Sequence, residues 1–213
     1  MQVSAEVRWF GSGSIPDDLS HWFSKPARAF RHPVGGGRDR RDFYLLLREP
    51  ELAIKKRGDK PGLEVKGLVE KLSWEIEFGG VQVAPQLFCK WDSPQLELRD
   101  LPSVETVKTR WLRKFDTAAD LREIELRAGQ YLEDPRAAGE RPAVGCNIEL
   151  TKVTKGGETW WTFGAESFAF GRPGETIELI GKSLLRTMQA LAVDATIDLS
   201  QASYCGYAEW LAR

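Results

Sequence analysis

Basic residues alternate along segments that have the two-residue period of a β-strand. In LAIKKRG, at 52–58, the side chains of Lys55 and Arg57 share one face of a strand. In VETVKTRWLRKF, at 104–115, Lys108, Arg110 and Lys114 share a face opposite apolar residues. Faces of lysine and arginine attract anions, and phosphate groups in particular. The spacing therefore indicates local anion chemistry.

Carboxylates occur on other segments with the same period. Glu6 and Arg8 alternate with apolar residues in QVSAEVRWF, and Glu149 and Glu166 lie on the polar faces of GCNIELTKV and ETWWTFGAESFAF. Carboxylates among cations add nothing to phosphate binding alone. Divalent ions such as Mg²⁺, however, take carboxylate oxygens and bridge them to phosphate oxygens. The combined pattern favours a site for a phosphorylated anion together with a divalent ion.

Two interpretations of the charged faces stay open. Charged strand faces usually contact solvent, as on one side of any antiparallel sheet. Alternatively, the charged faces line the lumen of a barrel, and helices cover the apolar faces from outside. Only the second interpretation brings the charges together into one site.

The elements that must position these residues are mostly strands. Strand patterns recur from residue 2 to residue 170, and connections such as TKGGE at 154–158 are typical of antiparallel hairpins. Helix patterns occur at about 15–25, with Ser14 as the N-cap, and at about 174–193, with an apolar stripe that includes Ile177 and Leu184. We predict a single domain over 1–213, mostly antiparallel β with a few helices (α+β): an eight-stranded β-barrel or tunnel with helices packed outside. A two-sheet sandwich is the alternative.

Composition limits the classes of function. The 213 residues contain 30 Lys and Arg and 31 Asp and Glu, a net charge of −1, which argues against a non-specific binder of double-stranded nucleic acid. No apolar run reaches the roughly 18 residues of a membrane span, and the N-terminus lacks the pattern of a signal peptide. Cys89, Cys146 and Cys205 are widely spaced, which fits a reducing compartment. We therefore predict a cytoplasmic protein with no membrane partner.

The chain resembles a known family in six short motifs. In chain order they are SAEVR, YLLLREPELAIKKRG, LEVKG, KTRWLRK, NIELT and FGAES. Together they resemble a CYTH domain, the fold of the triphosphate tunnel metalloenzymes, over residues 2–170. That family opens with Glu-x-Glu-x-Lys, continues with paired basic residues and ends with glutamates on late strands. The resemblance implies a β-tunnel that holds a triphosphate group with Mg²⁺ or Mn²⁺.

The resemblance also implies roles for individual residues. The implied phosphate-binding residues are Arg8, Lys55, Arg57, Lys66, Lys90, Lys108 and Arg110. The implied ligands of Mg²⁺ or Mn²⁺ are Glu6, Glu149 and Glu166, with Glu64 as a further candidate. Ser4 and Gly164 stand where the family has two further glutamates. Because hard cations with few carboxylate ligands bind weakly, we predict slow or absent hydrolysis.

Three functional hypotheses follow. The first is a divalent-metal-dependent hydrolase or cyclase that acts on a triphosphate. The second is a tunnel that binds a polyphosphate or an organic triphosphate without hydrolysing it. The third is a non-catalytic β-barrel module for another small anionic ligand, without a metal. Enzyme activity is left undecided, and the partner predicted by the first two hypotheses is a small phosphorylated ligand.

Overall fold

The computed structural model describes residues 2–25, 28–34, 37, 39–58, 60–126, 142–170 and 173–213. The strands within these ranges are β1 (Gln2–Ser12), β2 (Asp39–Leu45), β3 (Leu52–Arg57), β4 (Leu63–Lys71), β5 (Ile76–Phe78), β6 (Val81–Val83), β7 (Gln86–Ser93), β8 (Ser103–Asp116), β9 (Arg122–Ile124), β10 (Val144–Lys155), β11 (Glu158–Ala169) and β12 (Ser203–Tyr204). The helices are α1 (Asp17–Ser24), α2 (Pro173–Ala192) and α3 (Tyr207–Leu211).

Eight of the strands close into a barrel. They are hydrogen-bonded in the order β10, β11, β1, β7, β4, β3, β2 and β8, and β8 pairs with β10 to complete the circle. Every pairing around the circle is antiparallel. The predicted antiparallel barrel is therefore confirmed, and the two-sheet sandwich is excluded.

A tight hairpin joins the two long strands β10 and β11. Gly156 and Gly157 form its turn with φ values of 59° and 85°, and Lys155 pairs with Glu158 across it. Positive φ at both turn positions matches the twist of the flanking strands, and glycine adopts it without steric cost. This is the hairpin that TKGGE predicts.

Apolar residues on the outer faces of β1, β10 and β11 are covered by α1 and α2. This outer core contains Val7 and Trp9 from β1 and Phe163 from β11. From the helices it takes Leu19, Trp22 and Phe23 of α1, and Ile180, Leu184, Met188 and Leu191 of α2. The polar residues of the same strands are left to face the lumen, because successive side chains of a strand point to opposite sides.

The helices differ in detail from their predicted forms. Pro16, not Ser14, occupies the N-cap position of α1. The residue before a proline is held in an extended conformation, so Ile15 cannot be the first residue of the helix, which begins after Pro16. Helix α2 runs over Pro173–Ala192, one residue earlier at each end than predicted. Ile177 is 42 % exposed and lies outside the apolar stripe. Within the described part of the chain, no helix is long and apolar enough to cross a membrane.

The segment after α2 returns to one end of the barrel. β12 pairs with β1, and α3 follows directly. The ring of Trp210 in α3 stacks on Phe10 with 4.9 Å between centroids. Both side chains belong to a small second core with Val153 and Cys205. The packing fixes α3 against the end of the lumen.

Candidate functional site

The barrel lumen contains a cavity of about 120 Å³. A single buried water needs about 10–15 Å³ of such space, so the cavity has room for a small ligand. All eight barrel strands and α3 contribute to its wall. The lining residues are Arg8, Arg40, Tyr44, Ala53, Lys55, Arg57, Glu64, Lys66, Lys90, Lys108, Arg110, Glu149, Thr151, Glu166 and Tyr207.

The structure places nearly all of the predicted site residues around this cavity. Glu149 and Glu166 line it, whereas Glu6 is not a lining residue and contacts Lys66, which is one. Arg8 and Lys108 are each 4 % exposed, so their strand faces are not in contact with bulk solvent. All seven predicted phosphate-binding residues line the cavity, namely Arg8, Lys55, Arg57, Lys66, Lys90, Lys108 and Arg110.

Four polar lining residues are not predicted from the sequence: Arg40, Tyr44, Thr151 and Tyr207. Arg40 and Tyr44 alternate in β2, and Thr151 lies two residues after Glu149 in β10, so strand periodicity was a sufficient signal for these three. Tyr207 belongs to α3, and no strand period identifies it. Its place in the cavity depends on how the C-terminal segment packs.

Asp42 is the centre of one cluster of ion pairs beside the cavity. Its buried carboxylate lies 2.9 Å from Arg40 Nε, 3.4 Å from Lys55 Nζ and 3.5 Å from Lys108 Nζ. Burial alone would raise the pKa of Asp42, but these cations hold it well below its ordinary value. Asp42 is therefore ionised and neutralises part of the cation charge around it.

Glu64 is the centre of a second cluster. Its carboxylate lies 3.1 Å from Arg57 Nη1, 3.2 Å from Lys55 Nζ and 3.8 Å from Lys90 Nζ. Burial opposes ionisation of Glu64, but Lys55 and Arg57 overcome this effect and lower its pKa. Lys55 thus joins the two clusters, since it contacts both Asp42 and Glu64.

Glu149 is held between two arginines. Arg110 Nη1 is 2.7 Å from one carboxylate oxygen, and Arg8 Nη2 is 3.1 Å from the other. Burial raises the pKa of Glu149, but the two guanidinium groups outweigh burial and lower it below the ordinary value. Each oxygen of this carboxylate therefore already has a charged hydrogen-bond donor.

Glu6 and Glu166 form the acidic part of the site. They are cross-strand neighbours in β1 and β11. Glu6 accepts hydrogen bonds from the Ser4 hydroxyl at 2.7 Å and from the Lys66 ammonium group. Burial and the nearby charge of Glu6 raise the pKa of Glu166, and Lys66 offsets part of this effect. The ammonium group of Lys66 therefore interacts with both glutamates.

Cations outnumber carboxylates in the cavity. Among the residues that the structure describes, eight lysine and arginine side chains line it against three glutamates, and the adjacent Asp42 and Glu6 leave the cations in excess. Burial lowers the pKa values of Lys55, Lys90 and Lys108 from the ordinary lysine value. Burying excess charge costs free energy. A bound anion would reduce that cost.

Two tyrosines form part of the cavity wall, Tyr44 in β2 and Tyr207 in α3. The rings of Tyr44 and Tyr207 are stacked with 6.2 Å between centroids. Lys108 Nζ lies 3.7 Å from the centre of the Tyr207 ring and donates a hydrogen bond of 2.7 Å to the Tyr44 hydroxyl. The ring faces and the hydroxyl therefore stabilise a buried ammonium group at this end of the cavity.

The carboxylates of the site do not fit a Mg²⁺ or Mn²⁺ ion held by protein ligands. Glu149 is occupied by two arginines and Glu6 by Lys66, so a divalent ion would have to displace cations from both. Across the described ranges, no group of three or more His, Cys, Asp or Glu side chains is placed to hold one ion. The metal roles implied for Glu6, Glu149 and Glu166 stay predictions.

No protein-family model and no curated protein matches the chain. The resemblance to a CYTH domain therefore stays a prediction. The fold and the site define the class of the protein as an antiparallel β-barrel whose lumen is rich in cations. Its function is inferred from the chemistry of that lumen.

Proposed function

We propose that the chain binds a small phosphorylated anion, a polyphosphate or an organic triphosphate, in the barrel lumen. The observation that carries the proposal is the excess of cations around the cavity, where the described ranges contribute eight basic side chains against three lining carboxylates. A ligand with several negative charges neutralises this excess. A neutral ligand would leave the cations buried without enough counter-charge.

The kinds of cation favour phosphate oxygens. Four of the basic lining residues are arginines, Arg8, Arg40, Arg57 and Arg110. A guanidinium group offers a planar fork of N–H donors that matches two oxygens of a phosphate, and an ammonium group adds a compact charge. A chain of phosphate groups presents many acceptor oxygens along its length. Such a ligand uses donors from several strands at once.

The lining also limits the organic part of the ligand. Of the cavity-lining residues in the described part of the chain, Ala53 is the single one with an aliphatic side chain. The two aromatic lining side chains, Tyr44 and Tyr207, stack on each other. Small-molecule sites usually have a mostly apolar lining. We therefore place the phosphate groups, and not a hydrophobic moiety, inside the lumen.

Hydrolysis of the bound anion is a further step that the cations alone promote only in part. Cations that surround a phosphoryl group stabilise the charge that develops on its oxygens. The fit of the carboxylates to a divalent ion is poor, so we expect phosphate release from tripolyphosphate to be slow or absent. Measurement of released phosphate with Mg²⁺ and with Mn²⁺ tests this expectation. An ordinary rate of roughly 1 per second or faster would make the protein a hydrolase.

Calorimetric titration tests the binding proposal. We expect the wild-type protein to bind tripolyphosphate more tightly than sulfate or citrate. Arg110→Ala removes a lining guanidinium group, whereas Arg41→Ala removes one from the outer side of the barrel, where its side chain is 71 % exposed. Only Arg110→Ala should weaken binding. Citrate binding as tight as that of tripolyphosphate would favour the module for another small anion, and no binding of any anion would refute the proposal.

A further inference from the structure

Gly164 makes room for the guanidinium group of Arg8. In the barrel, Gly164 of β11 is paired with Arg8 of β1 on one side and with Glu149 of β10 on the other. A Cβ atom at position 164 would lie 2.9 Å from Arg8 Cζ and 3.0 Å from the Val7 carbonyl oxygen. Cβ atoms essentially never approach other heavy atoms within 3.0 Å. The present position of Arg8 therefore requires glycine at 164.

Other neighbours hold Arg8 in this place. Arg8 Nη2 donates to Glu149 at 3.1 Å, and Nη1 donates to the Thr162 hydroxyl at 3.4 Å. The guanidinium carbon lies 5.1 Å from the centre of the Tyr207 ring. The residue is 4 % exposed, yet it lines the cavity. An arginine stays protonated under all ordinary conditions, so Arg8 is a permanent, positioned cation in the lumen.

Arg8 also has unused capacity to donate hydrogen bonds. Its Nε atom is buried and has no hydrogen-bond partner among the described residues. The bond from Nη1 to Thr162 is long, at 3.4 Å. Buried N–H groups of an arginine are costly when they lack an acceptor. An anion in the cavity is the acceptor that would satisfy them.

We propose that Arg8, which packs against Gly164 and forms an ion pair with Glu149, is a permanent cation of the site. It lets the cavity bind its phosphorylated ligand without a divalent metal ion. This inference rests on the proposed function and concerns how that same site neutralises its ligand. The charge that a divalent ion would supply comes from the protein. Lys66 makes the same kind of contact with Glu6. Glu6 of β1 and Glu149 of β10 are therefore each paired with a basic side chain of the protein.

Titration in metal-free buffer tests whether the ion is needed. The full chain is freed of metal ions on a chelating resin and titrated with tripolyphosphate, first without and then with Mg²⁺ or Mn²⁺. We expect binding without added metal, and added Mg²⁺ to leave the affinity unchanged or to lower it, because Mg²⁺ reduces the charge of the ligand. Binding that appears only after metal is added would overturn this inference and leave the proposed function intact. An absence of binding under every condition would refute both.

Variants test whether Arg8 is the cation responsible. Arg8→Lys keeps the charge but loses the planar guanidinium group. Gly164→Ala keeps Arg8 but fills the space that its guanidinium group now occupies. Each should weaken metal-free binding of tripolyphosphate by about tenfold or more. Gly67→Ala is the matched control, because a Cβ atom at this β4 glycine meets nothing closer than 3.8 Å. Wild-type affinity in folded Arg8→Lys would contradict the role of Arg8, even if Gly164→Ala failed to fold.

Discussion

The barrel separates two buried regions that the same strands build: the outer core beneath α1 and α2, and the lumen. In β1, Ala5 and Val7 are 0 % exposed in the outer core, while Glu6 and Arg8 on the opposite face are 3 % and 4 % exposed. The degree of burial is nearly the same, and the chemistry is opposite. Burial alone therefore does not distinguish a region that stabilises the fold from one that serves another role.

The two regions contribute differently to the free energy of unfolding. Apolar side chains in the outer core stabilise the fold roughly in proportion to the area that they remove from water. Charges in the lumen lose hydration on folding, and their ion pairs offset only part of that cost. We therefore expect substitutions in the outer core to change stability, and substitutions in the lumen to change anion affinity.

The largest effect should come from the outer core. Phe163 is fully buried, and its ring stacks with Phe78 and Trp9 at centroid distances of 5.6 Å and 6.0 Å. Phe163→Ala should lower the free energy of unfolding by about 3–5 kcal/mol, measured by chemical denaturation. Phe170→Ala, just after the same strand, removes a ring that is 56 % exposed and should cost much less. Equal losses in both variants would contradict the assigned outer core.

A lumen arginine should affect affinity more than stability. Arg57→Ala should weaken tripolyphosphate binding by about 1.5–3 kcal/mol, the contribution of a hydrogen bond to a charged group. Stability should change little, because Glu64 keeps its contacts with Lys55 and Lys60. Lys56→Ala alters the exposed face of the same strand and is the control. Calorimetry that shows the same loss for both variants would remove the distinction between lumen and surface.

Lys108→Met should leave the unfolding free energy unchanged or raise it by about 1 kcal/mol. Methionine has a side chain of similar length to lysine but no charge, so the substitution removes a buried charge. Asp42 keeps Arg40 and Lys55 as partners. The same variant should bind tripolyphosphate more weakly than the wild type. Thermal and chemical unfolding measure the first effect, and titration measures the second. Marked destabilisation would mean that this lumen cation supports the fold.

The smallest effect should be a fall in affinity as the pH rises. A lysine is charged below its pKa, and burial lowers the pKa values of Lys55, Lys90 and Lys108 from the ordinary lysine value. These groups therefore lose their charge at a lower pH than the roughly 10.4 of a free lysine. Tripolyphosphate affinity should decrease between neutral pH and about pH 10, by less in Lys108→Met than in the wild type. An affinity that stays constant over this range would contradict a lysine-dependent site.

Strand periodicity accounts for most of what the sequence could predict. The alternation in LAIKKRG places Lys55 and Arg57 on one face, and both line the cavity. A solvent-facing strand has the same alternation, so the period alone does not distinguish lumen from surface. That distinction depends on closure of β8 against β10, which is a long-range pairing.

Contacts between distant strands could not be predicted. In the sequence, Gly164 is only a departure from a motif. The packing of Arg8 against it depends on the register of β1 against β11. Tyr207 reaches the lumen through the packing of Trp210 on Phe10. Lys114 shows the converse: it shares a strand face with Arg110, yet it lies near Phe168 and does not line the cavity. Position along the barrel axis, and not the face alone, decides which charges meet.

The most direct measurement is a crystal structure of the chain grown with tripolyphosphate. We predict phosphate density inside the lumen, with oxygens within hydrogen-bond distance of Arg8, Arg57 and Arg110. Density confined to the outer surface, beside an empty lumen in crystals that hold the anion, would contradict the central claim that this barrel is an anion-binding site.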